Sequence, residues 1–500
     1  MKVRLRLRAV LLLLVCVFAG APSALAHVGS KDVFEEISTG GYKLFVTVRM
    51  PTVIPGIATV EVRSAGAAVS EIHITPLPIT GEASLHPPTP DLMVRSKDDP
   101  AFFTGNLWMM ASGSWQVRFA ISGANGDRTS SVPVPAIATS VLKMKRGLGI
   151  MLSVLALILM VSMAGIIGAA VREADLKPGL VAKGGRRRRA RVAAAVTFVV
   201  MSLLVWTEIR WWYVAAAGYT GDLYKPLSVE PVLQGNILDL KVSGFTAQNI
   251  TRSRLNNDFL PDHGHLMHLY VIRQPEMDAV YHLHPALVGP GDFRLALPTM
   301  PAGEYKLYGD VVHANGFAET LVASVTVPPG MVGSTPGVDD AVAAVQPLSQ
   351  GMLGSTSALP DGFTMVWDKQ PELKANTAYV FHFTLLDAQG RAANDVVPYM
   401  GMAGHAAFVK TDGTVFAHTH PEGSAAMAAM MLANPGSDMG DGMTGDAMGS
   451  MPMDMPMPDA KIPNTVEFPY GFPTPGRYRI FVQMKHSGTI ETGAFDAIVQ

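Results

Sequence analysis

Two stretches, 268-HLYVIRQPEMDAVYHLHP-285 and 405-HAAFVKTDGTVFAHTHP-421, are one pattern written twice. Each opens on a histidine, runs into a short apolar strand, crosses a set of turn residues and closes on HxHP. Downstream, 301-PAGEYKLYGDVVH-313 stands beside 474-TPGRYRIFVQMKH-486, with Gly303 and Gly476 each ten residues before the closing histidine. The matched histidines are His268/His405, His282/His418, His284/His420 and His313/His486, which marks an internal repeat. Around them apolar and polar residues alternate in NILDLKVSGF, EYKLYGDVV and AYVFHFTLL, the period of antiparallel strands. The repeats occupy 225–330 and 361–500. Residues 331–360 between them hold no sustained strand pattern and read as a linker.

Working outward, residues 27–140 show the same period in YKLFVTVRM, ATVEVRS and SWQVRFAIS and predict a third, N-terminal β-sandwich. Trp108, Met109, Met110 and Trp115 lie in strand-like context and are expected in its core. Residues 147–171 and 192–217 are apolar runs long enough to cross a bilayer. Between them, 172–191 carries eight Lys/Arg, including Arg186 to Arg189, against Glu173 and Asp175, and so reads as a cytoplasmic loop. Residues 1–26 combine a basic start, an apolar stretch and the small residues Ala24 and Ala26, the pattern of a cleaved signal peptide leaving His27 first. Signal and loop agree in placing both ends of the mature chain in the periplasm, anchored to a bacterial inner membrane.

Composition supports that layout. Of 500 residues, 48% are hydrophobic and 16% charged, with a mean hydropathy of +0.24. This excludes a disordered or wholly soluble chain. With the leader's four basic residues and the loop's net +6 set aside, the remainder has a formal charge of −12, an acidic surface unsuited to nucleic acid. Cys16 is the only cysteine, so neither an intrachain disulfide nor a thiolate metal cluster can form.

Residues i and i+2 of a strand share a face, so His282 and His284 project together, as do His418 and His420. A third imidazole from His268 or His405 completes a nitrogen site in each repeat, and His313 or His486 offers a fourth. Asp262, His263 and His265 precede the first set and enlarge it. Neutral imidazole suits copper, zinc and nickel. The competing reading makes HxHP a turn motif whose histidines bond backbone carbonyls. After Pro421 the second repeat carries an insertion with ten methionines, Met427, Met430, Met431, Met439, Met443, Met448, Met451, Met453, Met455 and Met457. It has no apolar periodicity and predicts a disordered loop over 427–457. Thioether sulfur selects Cu(I), so His and Met together point to copper as the cofactor, with zinc as the alternative. Low-complexity drift would produce the same run of methionines. His27, with its α-amine, can chelate Cu(II), and His73 or His86 could add a nitrogen.

The GH…HxHP…PGxYRxFxQ pattern resembles YtkA-like and related periplasmic immunoglobulin-like modules associated with metal handling, most closely over 361–500. A mature N-terminal histidine is similar to that of copper-resistance β-sandwiches of the CopC type, and the likeness stops at His27. The strand pattern and the two apolar runs together predict a mainly β chain of three antiparallel sandwiches, immunoglobulin-like by the resemblance, plus two transmembrane helices. The expected function is copper buffering, delivery or resistance, with the repeats as two equivalent stations, and a membrane oxidase or copper transporter as partner. The alternative is a metal-independent assembly module docking on such a complex. No HExxH, phosphate loop or nucleophile–base signature is present, so an enzyme is not expected.

Overall fold

The computed structural model describes residues 30–174, 176–177, 179–221, 223–244, 254–435 and 461–500. The chain divides into two units, one of them Ala138–Leu223 and the other comprising the residues up to Ile137 together with Tyr224–Gln500. The smaller unit is a helical hairpin of α1 (Arg146–Glu173) and α2 (Gly184–Gly221), both long and apolar enough to cross a membrane. Helix α2 starts earlier than the apolar run suggests and takes in Arg186 to Arg189, since arginine is a good helix former and the end of a helix can extend into water. The two helices meet through small residues. Ala164 and Ala190 are buried there, and a Cβ on Gly168 would lie 3.1 Å from that of Ala194.

The larger unit is built of antiparallel strands, β1–β9 within residues 33–136, β10–β18 within 228–327 and β19–β28 within 341–499. They form six sheets that pair into three two-sheet bodies, each pair sharing one apolar core. In the first body the sheet order is β1-β2-β3-β7-β6 opposite β5-β4-β8-β9. Val46, Val60 and Phe103 of one sheet meet Ile74, Val117 and Phe119 of the other. Strand β7 (Phe102–Met109) corrects the expected core. Leu107 and Met109 point inward, so Trp108 points outward and is 58% exposed, and Met110 just beyond the strand is also exposed. Trp115 is half-buried against the core.

The repeat is visible in topology. One sheet runs β12-β17-β13-β14 with β18 beside β17, and its counterpart runs β23-β27-β24-β25 with β28 beside β27. These two sheets lie face to face. On β13 (His268–Gln274), Leu269 and Val271 enter the core of the first repeat, while Tyr270 and Ile272 enter a second core shared with Ala407, Val409, Phe416 and Phe481 of the other repeat. Tyr308 and Phe416 stack across that interface at 4.3 Å. A strand buried on both faces carries little polarity, which explains runs such as HLYVI and HAAFV.

Two expectations need correction. The linker contains β19 (Ala341–Ala344), which extends the first repeat's sheet by pairing with β14 (Ala279–Leu283), and β20 (Thr356–Ala358), which pairs with β21 (Thr364–Trp367). The expected loop begins instead as a helix, α3 (Met427–Ala433), with Ala428, Ala429, Met430 and Ala433 buried. Ala, Met and Leu are strong helix formers, and a docked helix needs less length than a free one. Asn434 fastens it to the first body, its side chain meeting the Ser131 amide at 2.7 Å and carbonyl at 2.8 Å. The methionines from Met439 to Met457 lie outside the described residues.

Truncating Phe416, one of two phenylalanines that the second repeat places in the shared core, should cost about 3–5 kcal/mol. Urea unfolding of the detergent-solubilised chain checks this. A Phe416→Ala variant within about 1 kcal/mol of wild type would mean that the two sheets do not depend on each other.

Candidate metal centre

The shared core between the repeats ends in imidazoles. The face of β13 that carries Tyr270 and Ile272 also carries His268. The face of β14 that carries Val280 carries His282, with His284 just past the strand end. In the other repeat, β24 (His405–Lys410) presents His405 in line with Ala407 and Val409, and β25 (Phe416–Thr419) presents His418 beside Phe416, followed by His420. Two more come from a tight turn, Asp262–His265, closed by backbone bonds of 2.8 and 2.9 Å between those two residues. Its central residues His263 and Gly264 have φ of 48° and 84°, the geometry of a type I′ hairpin turn, which favours glycine at the second position.

Eight histidines thus converge where the sequence suggested two separate stations. Ring centroids of His282 and His418 lie 5.3 Å apart, of His268 and His418 5.5 Å, and of His263 and His420 5.0 Å, so the contacts run across the repeat interface. His265 stacks on His284 at 3.9 Å. The arrangement is reciprocal. His268 pairs in register with Asp310 on β17 (Gly303–His313), and His405 with Gln483 on β27 (Gly476–His486). Asp310 then lies 3.3 Å from Nδ1 of the second repeat's His418, and the Gln483 side-chain oxygen 2.9 Å from Nδ1 of the first repeat's His282.

Outer groups fix further rings. His284 Nδ1 is 3.0 Å from Asp340, His265 Nε2 is 3.4 Å from Asp339, and His420 Nδ1 is 3.4 Å from the Ala425 carbonyl. His268 reaches the Asp262 carbonyl at 2.9 Å and His282 Nε2 at 3.0 Å. Six buried ring nitrogens of this cluster have no hydrogen-bond partner among the described residues: Nε2 of His263, His284, His418 and His420, and both nitrogens of His405. In His284, His418 and His420 the pattern is one nitrogen held by a carboxylate or carbonyl and the other left open, as in metal-ligating histidines. Ligand atoms fall into two groups, His263/His405/His420 and His268/His282/His284, each within 4.8 Å. The first group is the more open, because in the second His268 and His282 are bonded to each other.

Burial keeps the innermost rings neutral. Desolvation, with the neighbouring imidazoles adding to it, holds His268, His282, His405 and His418 well below the ordinary histidine range, and it brings His420 down to about 4. Lone pairs rather than positive charges therefore face the centre. A cleft of about 150 Å³ lined by Asp262, Asp310, His418 and His420 reaches this cluster from the side of the first body, which contributes Ser30 and Asp32.

His313 and His486 do not join the eight. His313 is fully buried with Nδ1 2.6 Å from Asp258 and Nε2 2.8 Å from Glu319. Burial is the largest single influence on it and lowers its pKa, but the hydrogen bonds and charges of Asp258 and Glu319 together outweigh burial and raise it. His486 lies beside Asp361, Asp395 and Glu491, and burial together with the charge of Asp361 pushes Glu491 up to about 7. His27, Met451, Met453, Met455 and Met457 lie outside the described residues. Reading the sequence missed the supporting groups. Asp339 and Asp340 sit in the linker and Asp310 and Gln483 in the middle of long strands, where only register reveals their direction.

A family model described as a domain of unknown function (DUF8832) matches residues 356–500. No curated protein matches. Among solved structures, similarity extends to dimeric latent PorU from Porphyromonas gingivalis (8% identity, TM-score 0.14, 94% of this chain and 34% of that one). It also extends to the native conformation of E. coli alpha-2-macroglobulin (8% identity, TM-score 0.19, 96% of this chain and 23% of that one). The chain thus spans about a third or less of these two proteins, and neither likeness assigns a fold or function.

An imidazole with both nitrogens buried and unpartnered weakens the metal-free fold, by about 1–3 kcal/mol for each such group. His405→Leu should therefore raise the unfolding free energy of the chain in chelator by about 1–3 kcal/mol. A loss of stability on urea unfolding would show that His405 has a structural partner.

Proposed function

We propose that this chain is a membrane-anchored metal-binding protein whose site is assembled jointly by both repeats, and that its metal is copper. The observation that carries this reading is the set of six unpartnered imidazole nitrogens converging in one buried place. Left alone they cost stability; neutral and oriented, they suit a divalent ion that accepts three or more nitrogens. His263, His405 and His420 form the first ligand group, with His418 adjoining, and His268, His282 and His284 the second. Metal bound by the first group ties the second repeat to the first, because His263 comes from one repeat and His405 and His420 from the other, so buffering and folding are linked.

Copper is preferred over zinc because Met451, Met453, Met455 and Met457 add soft sulfur donors for Cu(I) to imidazoles that take Cu(II). The resemblance of 361–500 to YtkA-like modules is consistent with this. The three two-sheet bodies are read as immunoglobulin-like sandwiches. The helices are read as two spans of a bacterial inner membrane, with the basic segment cytoplasmic and both flanking regions periplasmic. Buffering, delivery or resistance follows from holding copper at that surface.

Thermal unfolding and metal analysis of the full chain in detergent test the proposal. Cu(II) at about 100 times its Kd should stabilise the chain by about 2.7 kcal/mol. His405→Leu with His420→Leu should abolish that gain. Deleting 436–460 should remove Cu(I) retention and spare Cu(II). A chain that neither retains nor is stabilised by copper or zinc would overturn the reading and leave the docking-module alternative.

A further inference from the structure

The repeat builds a second constellation twice, and its two copies have diverged. Register pairs Phe259 with His313 and Val396 with His486, so the preceding Asp258 and Asp395 are equivalent. Likewise Val311 pairs with Glu319 and Met484 with Glu491, each two residues before the histidine, so the two glutamates are equivalent. An Asp–His–Glu set therefore sits at the end of an 11-residue strand in both repeats.

In the first copy every charge is answered. His313 stands between Asp258 and Glu319, while Arg254 lies 2.7 Å from Glu319 and the Tyr224 hydroxyl donates to it at 2.9 Å. Among the described residues, no arginine reaches the second copy. Asp361, exposed on the turn between β20 and β21, brings a third carboxylate to within 2.9 Å of His486 Nε2. Asp395 lies 3.4 Å from Nδ1 and also accepts from the Ser487 hydroxyl. The carboxylate of Glu491, a residue only 4% exposed, forms no hydrogen bond or ion pair among the described residues. Phe363 stacks on the His486 ring at 4.0 Å and fixes its plane. No lysine or arginine pairs with any of the three carboxylates among the described residues. An acid buried without a partner is costly, and the first copy shows what neutralises the same position: a cation.

We infer that Asp361, His486 and Glu491 form a separate site for a divalent cation, with Asp395 positioning the imidazole through Nδ1. Their ligand atoms lie within 4.8 Å of one another. Two carboxylate oxygens with one imidazole make a harder donor set than the histidine cluster, suited to Mn(II) or Zn(II) rather than Cu(I). The site is open on the Asp361 side, so an ion there retains water and exchanges with the medium. This inference stands independently of the histidine cluster.

Mn(II) titration of the full chain in detergent, followed by the electron paramagnetic resonance of free Mn(II), tests it. Wild type should bind one equivalent saturably, and His405→Leu should bind the same. Glu491→Gln and Asp361→Asn should each lose it, and Asp395→Asn should weaken it about 10–100-fold. Because Glu491→Gln replaces an unpartnered buried carboxyl with a neutral amide of the same shape, its metal-free unfolding midpoint should not fall, which separates lost binding from lost folding. No saturable Mn(II) in wild type, or an equivalent that survives Glu491→Gln and vanishes in His405→Leu, overturns the assignment.

Discussion

Two β-sheets packed face to face, each from one copy of a repeat, are the constraint on which the rest depends. Because each sheet already covers its own core with one face, joining the other faces leaves strands such as β13 and β24 with no side exposed to water. Apolar residues satisfy that burden along most of the stripe, through Tyr270, Tyr308 and Phe416. At its end the stripe turns to histidine, and the same packing that buries the rings also strips them of water and partners. The chemistry of the site follows from the packing of the core.

The reciprocal contacts explain why the site belongs to neither repeat. Asp310 and Gln483 occupy equivalent register positions and reach across to His418 and His282. One is a carboxylate and the other an amide, so the two halves are alike in geometry and unequal in charge. The same drift separates the Asp–His–Glu sets, where Arg254 closes one and Asp361 opens the other. The repeat presents the geometry twice, and changes of charge distinguish the two copies.

Much of this was legible in the sequence. Period-two alternation located the strands, and the doubled stretch from its opening histidine to HxHP identified six of the eight clustered histidines with their pairing. The neighbouring His263 and His265 were visible as an extension of the first set. The convergence of both sets was not legible, since nothing in a single strand says which sheet covers its outer face. His313 and His486 matched the repeat as well as the others, yet they sit at the far end of β17 and β27, where carboxylates replace imidazoles. The exposed Trp108 and the buried α3 failed for the same reason. A short local pattern gives periodicity, and the neighbour that decides which side is covered lies hundreds of residues away, as Asn434 does from Ser131.

The most direct measurement is X-ray absorption at the copper edge of the full chain loaded with one equivalent of Cu(II). The account predicts a first shell of about three to four imidazole nitrogens near 2.0 Å, with the outer-ring scattering of histidine and no sulfur. That shell should lose imidazoles in a variant altered only in the first repeat, at His263, and also in one altered only in the second, at His420. A shell dominated by oxygen, or one unchanged when either repeat's histidine is removed, would contradict a site shared between the repeats.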